Sequence, residues 1–131
     1  MKQLPGGEGA AGTIAVTIRL TNTGSAACTL RGYPSFTLTG GGRTLPADLI
    51  HGNLGGPFDT PVTTVTLAPV DNGGFLVAYG DVPRNGATSC AQATRLALAL
   101  PGGAATGTAM IMVCGGSLTV SPFLPESQLS D

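Results

Sequence analysis

The segment 21–34, TNTGSAACTLRGYP, most constrains what this chain can fold into. Before it, residues 13–21 alternate apolar side chains such as Val16 and Ile18 with polar or small ones, which indicates a half-buried strand. Asn22 and Gly24 come next. Both residue types tolerate positive φ, so we expect a tight reversal there. A second strand is predicted from Ala27 onward. The segment therefore predicts a strand, a turn and a second strand, which is information about the fold and not about a reaction.

Apolar runs with the same period of two recur along the whole chain. They predict strands at 13–21, 27–30, 35–39, 62–67, 75–82, 94–100, 108–113 and 117–123, with glycine-rich turns at 40–42, 71–74 and 115–116. The stretch up to Leu100 is rich in helix-favouring Ala and Leu, but Leu96, Leu98 and Leu100 alternate with Ala, which favours a strand. Short strands without intervening helices predict an all-β fold, namely an immunoglobulin-like antiparallel β-sandwich of about seven to nine strands.

The length of 131 residues suits one domain with a single core. We expect residues 13–123 to form that β-sandwich domain. Residues 1–12 are interpreted as the remnant of an N-terminal strand or a leader-proximal segment, and residues 124–131 as a frayed tail. Side chains predicted to face inward are Ile14, Val16, Ile18, Leu20, Phe36, Leu38, Val65, Leu67, Val77, Leu96, Leu98 and Val120.

Charge and hydropathy exclude two classes of partner. Only 10% of residues are charged and the net charge is −1, with the basic residues scattered, so nucleic acid is not an expected partner. No apolar run is long enough to cross a bilayer, so membrane contact is expected only through a leader or lipid anchor absent from this chain. The first seven residues lack the apolar core of a signal peptide, which leaves a cytosolic protein or one whose leader has been removed.

No constellation in the sequence predicts catalysis or metal binding. His51 is the single histidine, and no Gly-x-Ser-x-Gly nucleophile motif accompanies it, although a triad through Asp48 or Asp59 stays open because triads assemble in space. The three cysteines lie far apart and the aspartates are spread along the chain, unlike zinc or calcium ligands. We therefore expect no catalytic residue, no metal site and no cofactor.

One segment has no periodicity. Residues 51–61, HGNLGGPFDTP, are predicted to form a long loop, and such loops are often functional. The candidate binding residues in it are His51, Asn53, Phe58 and Asp59. The alternative is a slack connection between two sheets.

Several motifs together resemble one family. They are the run TNTGS…CTLRGYP, residues 9–12 (GAAG), 66–69 (TLAP) and 118–122 (LTVSP), Cys90, Cys114 and the strand end before Pro101. It is the domain-of-unknown-function family 4232 of actinobacterial secreted proteins and lipoproteins. The resemblance covers nearly the whole chain and implies an extracytoplasmic location with disulfides, but no activity. Family members typically carry a further cysteine on a strand upstream of the Ala-Ala-Gly stretch, and this chain has none there.

The cysteines are assigned with the help of that resemblance. Cys28 is expected to be unpaired here, because its partner would be the missing upstream cysteine. A structural disulfide is predicted between Cys90 and Cys114. Both lie twelve residues from Gly102, so a hairpin that turns at Pro101 to Gly103 would bring them level. A bulge could shift this register, and a bond to a neighbouring strand remains the alternative. Three cysteines in a chain poor in Lys and Glu favour an extracytoplasmic protein with a disulfide, and the alternative is that all three are buried thiols.

The expected function is that of a non-enzymatic extracytoplasmic β-sandwich module, binding or structural, at the cell envelope, secreted or lipid-anchored. Its partner would be an unknown extracytoplasmic protein or envelope ligand. One alternative is an enzyme or enzyme-accessory domain that uses the His51–Phe58 loop. Another is a domain that pairs with other domains through an exposed sheet edge.

Overall fold

The computed structural model describes residues 2–4, 13–52, 56–80, 91–100, 103–113 and 117–129. Two short 3-10 helices lie in these ranges, at Gly56–Asp59 and Glu126–Gln128, and the remaining elements are strands. The strands are β1 Lys2–Leu4, β2 Thr13–Thr21, β3 Cys28–Leu30, β4 Phe36–Gly40, β5 Arg43–Leu45, β6 Asp48–His51, β7 Val65–Leu67, β8 Asn72–Gly80, β9 Ala91–Leu100, β10 Gly103–Val113, β11 Ser117–Val120 and β12 Leu124–Pro125.

The strands form three sheets. The first has the order β1-β2-β8-β11-β6, with β12 also paired to β8, and the second has the order β10-β9-β4-β5. The third consists of β3 and β7. All described strand pairs are antiparallel except β6 with β11, which is parallel. The all-β class predicted from the sequence is confirmed.

The predicted number of strands, seven to nine, is too low for the described residues. The missed strands β5, β6 and β12 have two to four residues each, which is too short for an alternating pattern to be visible. The stretch 91–100, ambiguous by composition, is a strand as predicted, with Leu96 and Leu98 buried on one face. Strand β1 lies in the segment interpreted as the remnant of an N-terminal strand.

All three sheets contribute to one hydrophobic cluster, which we call the central cluster. Of the side chains predicted to face inward, Phe36 is half-buried and packs against this cluster, and the side chain of Ile14 lies outside the described part. The others are buried in the cluster: Val16, Ile18, Leu20, Leu38, Val65, Leu67, Val77, Leu96, Leu98 and Val120. The alternating pattern therefore predicted the inner faces correctly.

A second hydrophobic cluster covers the opposite face of the first sheet. Strand β8 contributes Phe75 and Val77 to the central cluster but Leu76 and Ala78 to this second one. The cover consists of Phe58, Leu124 and Leu129, with Ala15 packed at the margin. The prediction of a frayed tail over 124–131 is therefore corrected for 124–129, because Leu124 and Leu129 bury apolar surface there.

The turns differ in part from the sequence predictions. Gly41 and Gly42, at φ 61° and 80°, link β4 to β5 as the glycine run predicted. The turn predicted at 71–74 lies earlier, at Ala68 to Asp71, where the Asp71 N–H donates to the Ala68 carbonyl at 2.9 Å. Gly74 is instead inside β8, where a Cβ would collide with the carbonyl oxygen of Ile18. The turn predicted at 115–116 lies outside the described residues.

Candidate functional site

His51 ends strand β6 and is exposed to solvent. Its ring stacks on Tyr33, with the ring centroids 4.1 Å apart and the planes 1° from parallel. Tyr33 is half-buried and packs against the central cluster, so the core fixes the orientation of the stack. Sequence reasoning missed Tyr33, which lies within the diagnostic segment 21–34 but 18 residues before His51.

Two further groups converge at Gly52, the residue after His51. Gly52 has φ 72°, and a Cβ at this position would lie 3.1 Å from Asp59 Oδ1 and 3.8 Å from the Tyr33 hydroxyl. The Gly52 N–H donates to the Val120 carbonyl at 3.0 Å, which ties this corner to β11. The structure thus brings Tyr33, His51 and Asp59 together, and we call them the ring-stack site.

The other two residues of the predicted binding loop are not part of this site. Phe58 is only 7% exposed and packs in the second hydrophobic cluster, so the contacts described for it are structural, and its selection as a binding residue stays a prediction. Asn53 lies outside the described residues. Asp59 is exposed beside Phe58, on the short 3-10 helix that replaces part of the expected irregular loop.

The contact described for His51 is the stack on Tyr33. A histidine that acts as a general base needs a nucleophile within hydrogen-bond reach, usually with a third group that orients the ring. Tyr33 covers one face of the His51 ring, and this stack positions the ring but is not the hydrogen-bonded partner that a general base needs.

Two residues of the family-like motifs have structural roles. The buried amide of Asn22 donates to the carbonyls of Ala26 and Leu67, both at 2.9 Å, and its Oδ1 accepts from the Gly24 N–H at 3.0 Å. Ser121 is fully buried, and its hydroxyl accepts from the Leu76 N–H and donates to the Pro122 carbonyl, both at 2.9 Å. Both side chains replace backbone hydrogen bonds where strands end.

Cys28 is exposed on β3 with a free thiol. Cys90 and Cys114 lie outside the described residues, so their predicted disulfide stays a prediction. The described register of the β9–β10 hairpin runs up to their sequence neighbours, since Ala91 pairs with Val113.

Among the described residues, no group of three or more His, Cys, Asp or Glu side chains is arranged to hold a metal ion. Among the same residues, no helix has the length and apolar character needed to cross a membrane.

Comparison with known proteins gives one match. The family model described as "Domain of unknown function (DUF4232)" matches residues 3–124. No curated protein and no solved structure matches the chain significantly. Because the matched range covers most of the 131 residues, the chain belongs to the DUF4232 family of domains of unknown function.

Proposed function

We propose that this chain is a non-enzymatic, extracytoplasmic binding module of a bacterial cell envelope, built as an immunoglobulin-like β-sandwich. The sandwich interpretation is supported by the central cluster, to which side chains of both larger sheets contribute. The location is supported by the sparse charge of the chain and by its three cysteines, and it agrees with the actinobacterial secreted proteins that the sequence resembles.

The observation that carries the binding role is the stack of His51 on Tyr33. An exposed ring that is held by a half-buried second ring offers a flat surface at low entropic cost, because the site is already ordered before a ligand arrives. The Asp59 carboxylate lies on the same corner and adds a hydrogen-bond acceptor. An envelope polymer or protein would bind here through ring contact and hydrogen bonds.

The sheet edge formed by β6 lies next to the ring-stack site and supports the same surface as the place where a partner binds. Strand β6 ends the sheet order and, among the described pairs, is bonded to β11 alone. Ile50 on β6 is 45% exposed, so this edge also offers an apolar side chain to a pairing partner. The pairing of domains through a sheet edge, the second alternative from the sequence, would therefore use β6 and would cover His51 as well.

The enzyme alternative has less support. It depended on the His51–Phe58 loop, and Phe58 is buried in the second hydrophobic cluster. The contact described for the His51 ring is its stack on Tyr33, which is not the hydrogen-bonded pair that a nucleophile and its base form. The described loop therefore supplies no catalytic pair.

Co-sedimentation with insoluble cell-wall sacculi from an actinobacterium tests the proposal. We expect the wild-type domain to pellet with the sacculi, His51→Ala to pellet markedly less, and Met110→Ala to behave as wild type. Met110 is a suitable control because it is an exposed apolar residue on β10, in the other large sheet. Recovery of all three proteins in the supernatant, or equal binding by His51→Ala, would contradict the binding role. Soluble sugars released from the sacculi would indicate an enzyme.

A further inference from the structure

A cavity of about 420 Å³ lies between β7, the turn at Ala68 to Asp71 and the start of the C-terminal segment. None of its lining residues belongs to the ring-stack site. Its volume is in the range of small-ligand pockets in proteins. Thr66 and Asn72 are also among the residues that line it.

One side of the cavity is apolar. Val65, Leu67, Val70 and Pro125 line it, and of these Val65 and Leu67 are buried. Val70 is 80% exposed and has φ 66°, a conformation that is unusual for a β-branched residue. The turn is nevertheless fixed, because the Val70 N–H donates to the Asn22 carbonyl at 2.8 Å. An ordered apolar wall therefore faces the opening.

Two carboxylates line the same cavity. Asp71 is exposed, and its Oδ2 accepts from the Ala68 N–H at 3.1 Å, which fixes the side chain on the turn. Glu126 is half-exposed and accepts from Arg19 Nε at 2.9 Å through both of its oxygens. Among the described side chains, Glu126 is ion-paired with Arg19 and Asp71 has no ion pair, so Asp71 is the carboxylate more open to a further cation.

We propose that this cavity binds the side chain of a lysine or arginine presented by a partner polypeptide. Such side chains lay their aliphatic stems along apolar surface and keep the cationic head in water. Here the stem would lie mainly on Val70 and Pro125, above the buried Val65 and Leu67, and the head would meet Asp71, with Glu126 as the second carboxylate. An acidic side chain would be repelled at the same place, so charge complementarity selects the cation. This site is independent of the proposed function at the ring stack.

A titration followed by amide chemical shifts tests the proposal on the whole chain. The probe is N-acetyl-lysine methylamide, added up to about 50 mM because an isolated side chain is expected to bind with a Kd in the millimolar range. We expect saturable shifts at Val65 to Leu67 and at Val70 to Asn72. The norleucine analogue has a similar stem without the charge and is expected to bind at least about threefold more weakly.

Two variants separate the cavity from general electrostatics. Asp71→Asn removes the charge but keeps an oxygen that can accept from the Ala68 N–H, and it should raise the Kd for the lysine probe about two- to fivefold. Asp48→Asn removes one exposed carboxylate elsewhere and should leave the Kd unchanged. The proposal is overturned by equal binding of the norleucine probe, by equal effects of the two variants, or by the absence of shifts at the cavity. If the wild-type domain does not pellet with sacculi but still binds the lysine probe at this cavity, only the proposed function at the ring-stack site is overturned.

Discussion

Asn22 shows how a single residue can be assigned to the right place for the wrong reason. The sequence placed a reversal here because Asn and Gly tolerate positive φ, yet neither Asn22 nor Gly24 is among the residues with positive φ. The side-chain amide instead binds the carbonyls of Ala26 and Leu67 and accepts from the Gly24 N–H. Only a folded chain brings Leu67 to Asn22, so these hydrogen bonds were not predictable from local sequence.

Asn22→Ala is expected to destabilise the domain by about 2 to 3 kcal/mol, because it leaves the buried Leu67 carbonyl and the Gly24 N–H without their partner. Thermal and urea unfolding measure the change. Thr23→Ala, at the exposed neighbouring position, serves as the control and should change stability by less than about 0.5 kcal/mol. Equal effects of the two variants would contradict a structural role for the Asn22 amide.

Val70→Gly is expected to stabilise the domain by about 0.5 to 1 kcal/mol. Relief of the positive φ of Val70 outweighs the larger chain entropy of glycine in the unfolded state, and little buried surface is lost because Val70 is 80% exposed. Val62→Gly is the matched control, since Val62 is not among the positive-φ residues, and it should not stabilise. A lower melting temperature for Val70→Gly would show that the strain at Val70 is smaller than the entropic cost of glycine, and would contradict the prediction.

At the scale of elements, strand β8 explains why residues 124–129 are packed although the sequence predicted a frayed tail. The run from Phe75 to Ala78 is continuously apolar, a pattern typical of a strand buried on both faces. This apolar run indicates from the sequence that both faces of β8 are buried, but it does not identify the segment that covers the second face. The cover comes from the C-terminal segment, which is held by Leu124, Leu129 and the Arg19–Glu126 ion pair.

Leu129→Ala tests that packing. We expect a loss of about 2 kcal/mol in the free energy of unfolding, because the substitution opens space in the second hydrophobic cluster. Gln128→Ala, an exposed neighbour in the same segment, should be nearly neutral. If residues 124–129 were frayed in solution, denaturant unfolding would show no difference between Leu129→Ala and wild type.

At the scale of the whole molecule, the hairpin of β9 and β10 bears on the predicted disulfide. Near its turn, Leu100 pairs with Gly103, and continuation of that register would place Cys114 opposite Ser89. A shift between Thr108 and Ile111 adds one residue to β10, after which Ala91 pairs with Val113. Cys90 and Cys114 lie outside the described residues, but one more step in the shifted register would align them, as the equal spacing about Gly102 predicts.

Non-reducing peptide mapping of protein made in an oxidising compartment should recover Cys90 joined to Cys114 and Cys28 as an alkylated free thiol. Closure of a loop of this length is expected to stabilise the domain by about 3 to 4 kcal/mol on the chain-entropy estimate. Reduction should therefore lower the melting temperature markedly. The Cys28→Ser variant is the control, because it keeps the predicted disulfide and should show the same decrease on reduction. Recovery of Cys90 joined to Cys28, or of all three thiols free, would refute the pairing.

The sequence by itself determined the all-β class, most strand positions and the inward faces, because these depend on a local period of two and on turn-forming residues. It also determined membership of the family, because segment 21–34 is specific. Only the tertiary structure decided that Tyr33 lies under His51, that Phe58 is core and that the last leucines cover β8. Those contacts join residues far apart in sequence, and packing free energy summed over the whole fold selects them, not the preference of any one segment.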